Sequence, residues 1–171
     1  GGYEEIYEQR RQPEYKEYKT AVENVLPLDE YVDWWIMENT VDYIKNSGKK
    51  GDPFFAWCGF CSPHGPMDPP EPYSEMYPFE EIPLPLDYIE LPADEKPDRE
   101  VIKRFKSYYF GLVSLVDNMV GKIIETLKEN DLYENTIIIY TSDHGEMLGD
   151  FGRFGKSVFY DSVIQIPLII K

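Results

Sequence analysis

Two regions of the chain space their apolar residues at helical intervals, and three others are almost wholly apolar. In the first, Val32, Trp35, Ile36, Tyr43 and Ile44 fall on one stripe, which predicts a helix over 29–46, capped by Asp29 and stopped by Gly48. In the second, Asp98 opens a helical region whose stripe is Tyr109, Leu112, Val113, Val116, Val120, Ile123, Ile124 and Leu127. The runs Pro53-Phe54-Phe55-Ala56-Trp57-Cys58, Thr136-Ile137-Ile138-Ile139-Tyr140-Thr141 and Ile166-Pro167-Leu168-Ile169-Ile170 read as strands buried on both faces. Helices alternating with such strands predict an α/β fold, a mostly parallel sheet flanked by helices. No internal repeat is visible.

The segment 66–100 breaks this rhythm with nine of the 14 prolines. Proline fixes φ and lacks an N–H, so neither a helix nor a central strand is expected there. Its tyrosines, with Met67, Met76 and Phe79, predict a loop packed on a surface in preference to an unattached linker.

Charge and length narrow the function. The 171 residues carry 17 basic and 32 acidic side chains, a formal net charge of −15. Nucleic-acid binding through the phosphate backbone is excluded, because it needs clustered Lys and Arg. The segment 66–100 alone holds 11 acids against Lys96 and Arg99. No apolar run approaches the roughly 18 residues of a membrane span, and the first residues have no signal-peptide character. Two cysteines build no disulfide scaffold. The abrupt Gly1-Gly2 start and the final core-type strand predict part of a single larger domain, with the sheet incomplete. Oligomeric state has no signature in the sequence.

Ligands of open α/β sheets sit beyond the carboxyl ends of the strands. After the 136–141 run comes Ser142-Asp143-His144-Gly145-Glu146. Asp143 offers a carboxylate and His144 an imidazole, both suited to a divalent cation; a helix-capping Asp beside a solvent-facing His is the plainer alternative. The second histidine of the chain follows the 53–58 run, in Ser62-Pro63-His64-Gly65-Pro66. Flanking prolines stiffen its backbone, which suits a proton donor; an exposed turn histidine is again the alternative. Both histidines stand just past predicted strand ends, which points to a shared site. Gly155-Lys156-Ser157 ends like a phosphate loop, but Asp150 stands where that motif needs glycine. What survives is a turn presenting Lys156, a point charge suited to an oxyanion, or else a solvated surface lysine.

Several blocks taken together resemble the sulfatase family of the alkaline phosphatase superfamily. They are Pro53-Phe54-Phe55 leading to Ser62-Pro63-His64-Gly65-Pro66, then Tyr108-Tyr109 through Asp117, Val120-Gly121 and Leu127. Ser142-Asp143-His144-Gly145-Glu146, Leu148-Gly149-Asp150, Gly155-Lys156, Phe159-Tyr160-Asp161 and Ile166-Pro167-Leu168-Ile169 complete the series over about 30–171. The resemblance implies an alkaline-phosphatase-like fold and a metal-dependent hydrolase of small-molecule or carbohydrate sulfate esters. It assigns Asp143 and His144 to the metal, with calcium first and manganese or magnesium next. Lys156 would bind the sulfate, and His64 would sit at its leaving-group side as sulfate ligand and general acid. Phe151 departs from the pattern, since many bacterial members have His there.

The resemblance also shows what is missing. The family's nucleophile is a formylglycine made in a Cys/Ser-x-Pro-x-Arg motif. Cys61-Ser62-Pro63-His64-Gly65 has Gly65 in place of the arginine, so Cys61 is expected to be a small buried residue at a strand end. Cys58-Gly59-Phe60-Cys61 lacks the second pair that a zinc site would need. The paired N-terminal aspartates are absent too. The chain alone is therefore expected to be inactive, with formylglycine in a preceding part of the parent enzyme. Two alternatives stand beside the sulfatase reading: a phosphonate or phosphate diester hydrolase of the same superfamily, and a non-catalytic binding fragment.

Overall fold

The computed structural model describes residues 2–171. In chain order they form α1 (Gly2–Gln9), α2 (Pro13–Glu17), α3 (Val32–Lys50), α4 (Arg99–Glu129), β1 (Ile139–Thr141), the single-turn α5 (Asp161–Ile164) and β2 (Leu168–Ile170). The spine is α4. Asp98 caps it as expected, its Oδ1 accepting from the N–H of Glu100 at 2.7 Å and of Val101 at 3.4 Å. Ile102, Phe105, Tyr108, Leu112, Leu115, Val116 and Met119 then recur at three- and four-residue steps and are buried. Met37 of α3, with Tyr31 at its start, joins this core, along with Ala21, Met67 and Tyr73. The stripe is rotated from the expected one: Val113 is exposed and Tyr109 half-buried, while Tyr108 and Leu115 point inward.

Two boundary expectations for α3 are corrected. Asp29 lies in a separate 3₁₀ turn, Leu28–Glu30, and Tyr31 takes the capping position without a side-chain cap bond. Gly48 lies inside the helix, which ends where Gly51 adopts a φ of 68°.

The proline-rich segment behaves as expected. Up to the start of α4 at Arg99, the 3₁₀ turn at Phe79–Glu81 is its only regular structure. It is strapped along α4 through Tyr77 and Ser114, whose hydroxyls lie 2.7 Å apart. Lys103 Nζ donates to the Glu80 carbonyl at 2.9 Å, and Lys106 Nζ to that of Pro83 at 3.1 Å. Pro69, Pro70, Tyr73, Ile82 and Tyr88 are buried. At Gly111 the helix backbone touches the strap directly, for a Cβ there would stand 2.4 Å from the Tyr73 carbonyl oxygen.

The sheet is where the structure departs most from expectation. β1 and β2 pair antiparallel, Ile139 with Ile170, Tyr140 with Ile169 and Thr141 with Leu168, and both strands are exposed. The 53–58 run forms no strand; Phe55 and Trp57 are 82% and 84% exposed. Thus the described residues contain a two-stranded antiparallel sheet, not a mostly parallel one buried on both faces. The reason is physical: a strand apolar on both sides needs ladder partners and two covering layers. The described residues supply those for neither face. Cys61, expected to be buried, is exposed for the same reason, at the end of this unpaired run. No described helix is long and apolar enough to cross a membrane.

Candidate active site

His64 rides on a tight turn. Its N–H donates to the Cys61 carbonyl at 3.0 Å, and the turn is seated on Asp33 in the first turn of α3. Asp33 Oδ1 accepts from Cys61 N at 2.7 Å and Oδ2 from Ser62 N at 2.9 Å. The His64 ring is exposed, with Nδ1 2.8 Å from the Gly65 carbonyl oxygen. A carbonyl only accepts, so Nδ1 carries the hydrogen and Nε2 is the nitrogen presented outward.

β1 delivers the second segment. Ser142 Oγ donates to the His144 carbonyl at 2.9 Å, and His144 N–H donates to Asp143 Oδ1 at 3.0 Å. His144 Nδ1 lies 2.8 Å from the Gly145 carbonyl oxygen, which leaves Nε2 directed 3.4 Å from Asp143 Oδ2. Gly145 is pinned beneath: its N–H donates to the Val163 carbonyl at 2.7 Å, and a Cβ there would lie 2.1 Å from the Ser162 carbonyl oxygen. No other residue fits that contact.

The loop from Glu146 leads on to Lys156, whose charge acts on the Asp143 carboxyl. Met147 N–H donates to the Gly155 carbonyl at 3.1 Å, and Glu146 Oε1 accepts from Gly155 N–H, closing the loop at its base. At its tip Phe151 has a φ of 52°; its N–H donates to Asp87 Oδ2 of the proline-rich strap at 2.6 Å, and its ring stacks 4.7 Å from that of Tyr160.

His64 and His144, from segments far apart in sequence, come together with ring centroids 6.5 Å apart and planes at 65°. Asp143 stands beside them, its side chain 84% exposed. Its slight burial pushes the carboxyl upward. Hydrogen bonds from its own N–H and that of His144, with the neighbouring His144 ring and the Lys156 ammonium, override that and hold it below the usual carboxylate range. An ionised carboxylate beside an imidazole with an available Nε2 is a donor pair that fits a divalent cation. Among the described residues no group of three or more His, Cys, Asp or Glu converges there.

Asp33, Tyr31 and Glu146 were not singled out by the sequence reading. Asp33 had a legible signal: it shares a helical stripe with Met37 and Ile44, so a carboxylate stands on an apolar face.

The architecture is that of the alkaline phosphatase superfamily. The phosphonate monoester hydrolase SpPMH from Silicibacter pomeroyi superposes with a TM-score of 0.78 at 27% identity, over 89% of this chain and 35% of that one. The multifunctional alkaline phosphatase superfamily protein PehA of Trinickia caryophylli is 30% identical over 78% of this chain and 31% of its own length. Within that class, the Sulfatase family model matches residues 1–171, and the chain belongs to the sulfatase family. An arylsulfatase of Clostridium perfringens is 30% identical over 80% of this chain. The chain spans about a third of the length of these relatives, 31% of the arylsulfatase and of PehA and 35% of SpPMH.

Proposed function

We propose that these residues form the metal-binding and leaving-group side of a sulfuric ester hydrolase acting on small-molecule or carbohydrate sulfate esters. One observation carries this reading: His64 and the Asp143–His144 pair, assigned roles by the family resemblance, converge from segments far apart in sequence on one exposed spot, with the charge of Lys156 felt at the Asp143 carboxyl.

Each has a definite task. Asp143 and His144 Nε2 hold a divalent cation, calcium or else manganese or magnesium, which supplies Lewis-acid polarisation of the sulfate when bound. Lys156 places its ammonium against a sulfate oxygen, where negative charge stays through the transition state. As the imidazolium, with its Nδ1–H held on the Gly65 carbonyl, His64 gives its Nε2 proton to the departing alcohol oxygen and is left as the neutral Nδ1–H tautomer. The nucleophile does not lie among these residues, because Gly65 replaces the arginine of the formylglycine motif. The 171-residue chain alone therefore has no turnover.

A second reading is supported by His144. An imidazole suits manganese better than calcium, which prefers all-oxygen shells, and the likeness to SpPMH points the same way. Under it the parent enzyme hydrolyses phosphonate or phosphate diesters. Metal analysis of the full-length enzyme, with paired assays on an aryl sulfate and an aryl phosphodiester, decides. Calcium with faster sulfate turnover supports the sulfatase; manganese with faster phosphodiester turnover replaces it.

A further inference from the structure

The start of α3 is built around the turn that carries His64. Asp33 is completely buried, at 0% exposure, and among the described residues no lysine or arginine bridges it. A carboxylate in such a place is costly unless hydrogen bonds satisfy it. An apolar residue of similar size would serve the stripe with Met37 and Ile44 at least as well. What the carboxylate provides is a grip on two consecutive amides, Cys61 N at 2.7 Å and Ser62 N at 2.9 Å. Two bonds from one rigid group fix the orientation of that stretch of backbone, and the next bond along the chain is the His64 N–H to the Cys61 carbonyl.

Tyr31, at the capping position of the same helix, holds the turn from a second side. Its hydroxyl lies 3.3 Å from Ser62 Oγ and donates to Asp68 Oδ1 at 3.5 Å. Beyond His64 the chain is clamped again, by Val22 N–H on the Met67 carbonyl at 3.1 Å and Asn24 N–H on that of Pro69 at 3.2 Å. The side chain of His64 is exposed while the backbone beneath it is held on both sides.

We propose that Asp33 is a positioning residue for His64, setting the place of its Nε2 by gripping the backbone of the preceding turn. The inference rests on the reading of His64 as proton donor. A misplacement of about 1 Å can cost on the order of a hundredfold in rate, and Asp33 is the group whose loss would permit it.

The test uses Asp33→Asn in the full-length enzyme, which keeps the shape but turns an amide NH₂ toward one of the two backbone donors. For an alkyl sulfate, whose leaving group needs the proton, kcat/KM falls by about tenfold or more, while an activated aryl sulfate slows by less than about threefold. In the His64→Ala background Asp33→Asn adds no further loss on the alkyl ester. Equal losses on both esters, or a loss that multiplies with that of His64→Ala, overturn the proposal. If Asp33→Asn does not accumulate, Asp33→Ser carries the same comparison.

A readout without turnover separates this idea from the function it rests on. The His64 imidazole resonances, assigned by their disappearance in His64→Ala, shift in Asp33→Asn and stay in place in the exposed control Lys45→Gln. Unmoved signals overturn the positioning role even in an active sulfatase. Shifted signals in an enzyme without sulfatase turnover support it while refuting the substrate.

Discussion

The imidazoles of His64 and His144 face each other edge to face, 6.5 Å between centroids, and each ties its Nδ1 to the carbonyl of the residue that follows it. The two rings are thus held in the same tautomer by the same local device, each offering Nε2 to a common space. Yet their neighbours differ. His144 has the Asp143 carboxylate at 3.4 Å and suits a cation, whereas among the described residues no carboxylate pairs with the ring of His64.

That difference sets the first expectation. In the full-length enzyme His64→Ala slows an alkyl sugar sulfate by about a hundredfold or more and leaves an activated phenyl sulfate nearly untouched. Lys156→Ala impairs both esters in KM and kcat, because its charge meets the sulfate in ground and transition states alike. Steady-state kinetics on the two esters checks this; equal slowing by His64→Ala would make His64 a sulfate ligand.

Metal binding should need more than the described pair. Calcium takes about 6–8 oxygen ligands, and Asp143 and His144 supply two donors. The 171-residue chain should bind calcium no tighter than about millimolar, and in the full-length enzyme Asp143→Ala should lose metal and activity together. Calorimetry giving micromolar affinity for the short chain would refute the two-donor account.

Asp68 should make stability fall as pH rises through the neutral range. It is 3% exposed, and burial pushes its carboxyl up to about 7 against the partial relief of Arg10, Asn24 and Tyr31. The native state keeps this proton to about pH 7, whereas the unfolded chain gives it up near 4. Between those values the folded form binds more protons, so its advantage is complete below about 4 and is lost as pH climbs to about 7. One such group contributes a slope of at most about 1.4 kcal/mol per pH unit. Urea unfolding between pH 5 and 8 should show a decline in the native protein that is smaller by roughly 2 kcal/mol in Asp68→Asn. Parallel pH profiles for the two proteins would mean that Asp68 ionises normally.

The acidic strap should bias substrate choice. Asp87 fastens it to the loop that leads to Lys156, and its net negative charge should repel polyanions that approach the site. Replacing Glu90, Asp94 and Glu95 by their amides should raise kcat/KM for heavily sulfated glycans at low salt and change little at high salt. No gain at low ionic strength would place the strap away from the substrate.

Much of this was legible in the sequence. Asp98 as a cap, the helical period of α4 and the proline content of 66–100 are local signals, and each produced what it predicts. The convergence of His64 with His144 was readable from their shared position after apolar runs. The sheet was not, because Phe55, Trp57, Ile139 and Ile169 specify burial without specifying who covers them. Asp33 escaped because the stripe read for this helix ran through Val32, Trp35 and Ile36; its place on the face of Met37 and Ile44 was legible, but its two amide partners lie nearly thirty residues on.

Gly111 gives the strap one more property. With its helix backbone against the Tyr73 carbonyl, a single added methyl has no room unless the chain opposite lifts away. That chain is stiffened by Pro66, Pro69, Pro70 and Pro72, and it begins directly after His64 and Gly65. Position 111 is therefore where the strap is seated on the spine, and Gly111→Ala would unseat the Tyr73 turn while the Val22 and Asn24 clamps hold the chain next to His64.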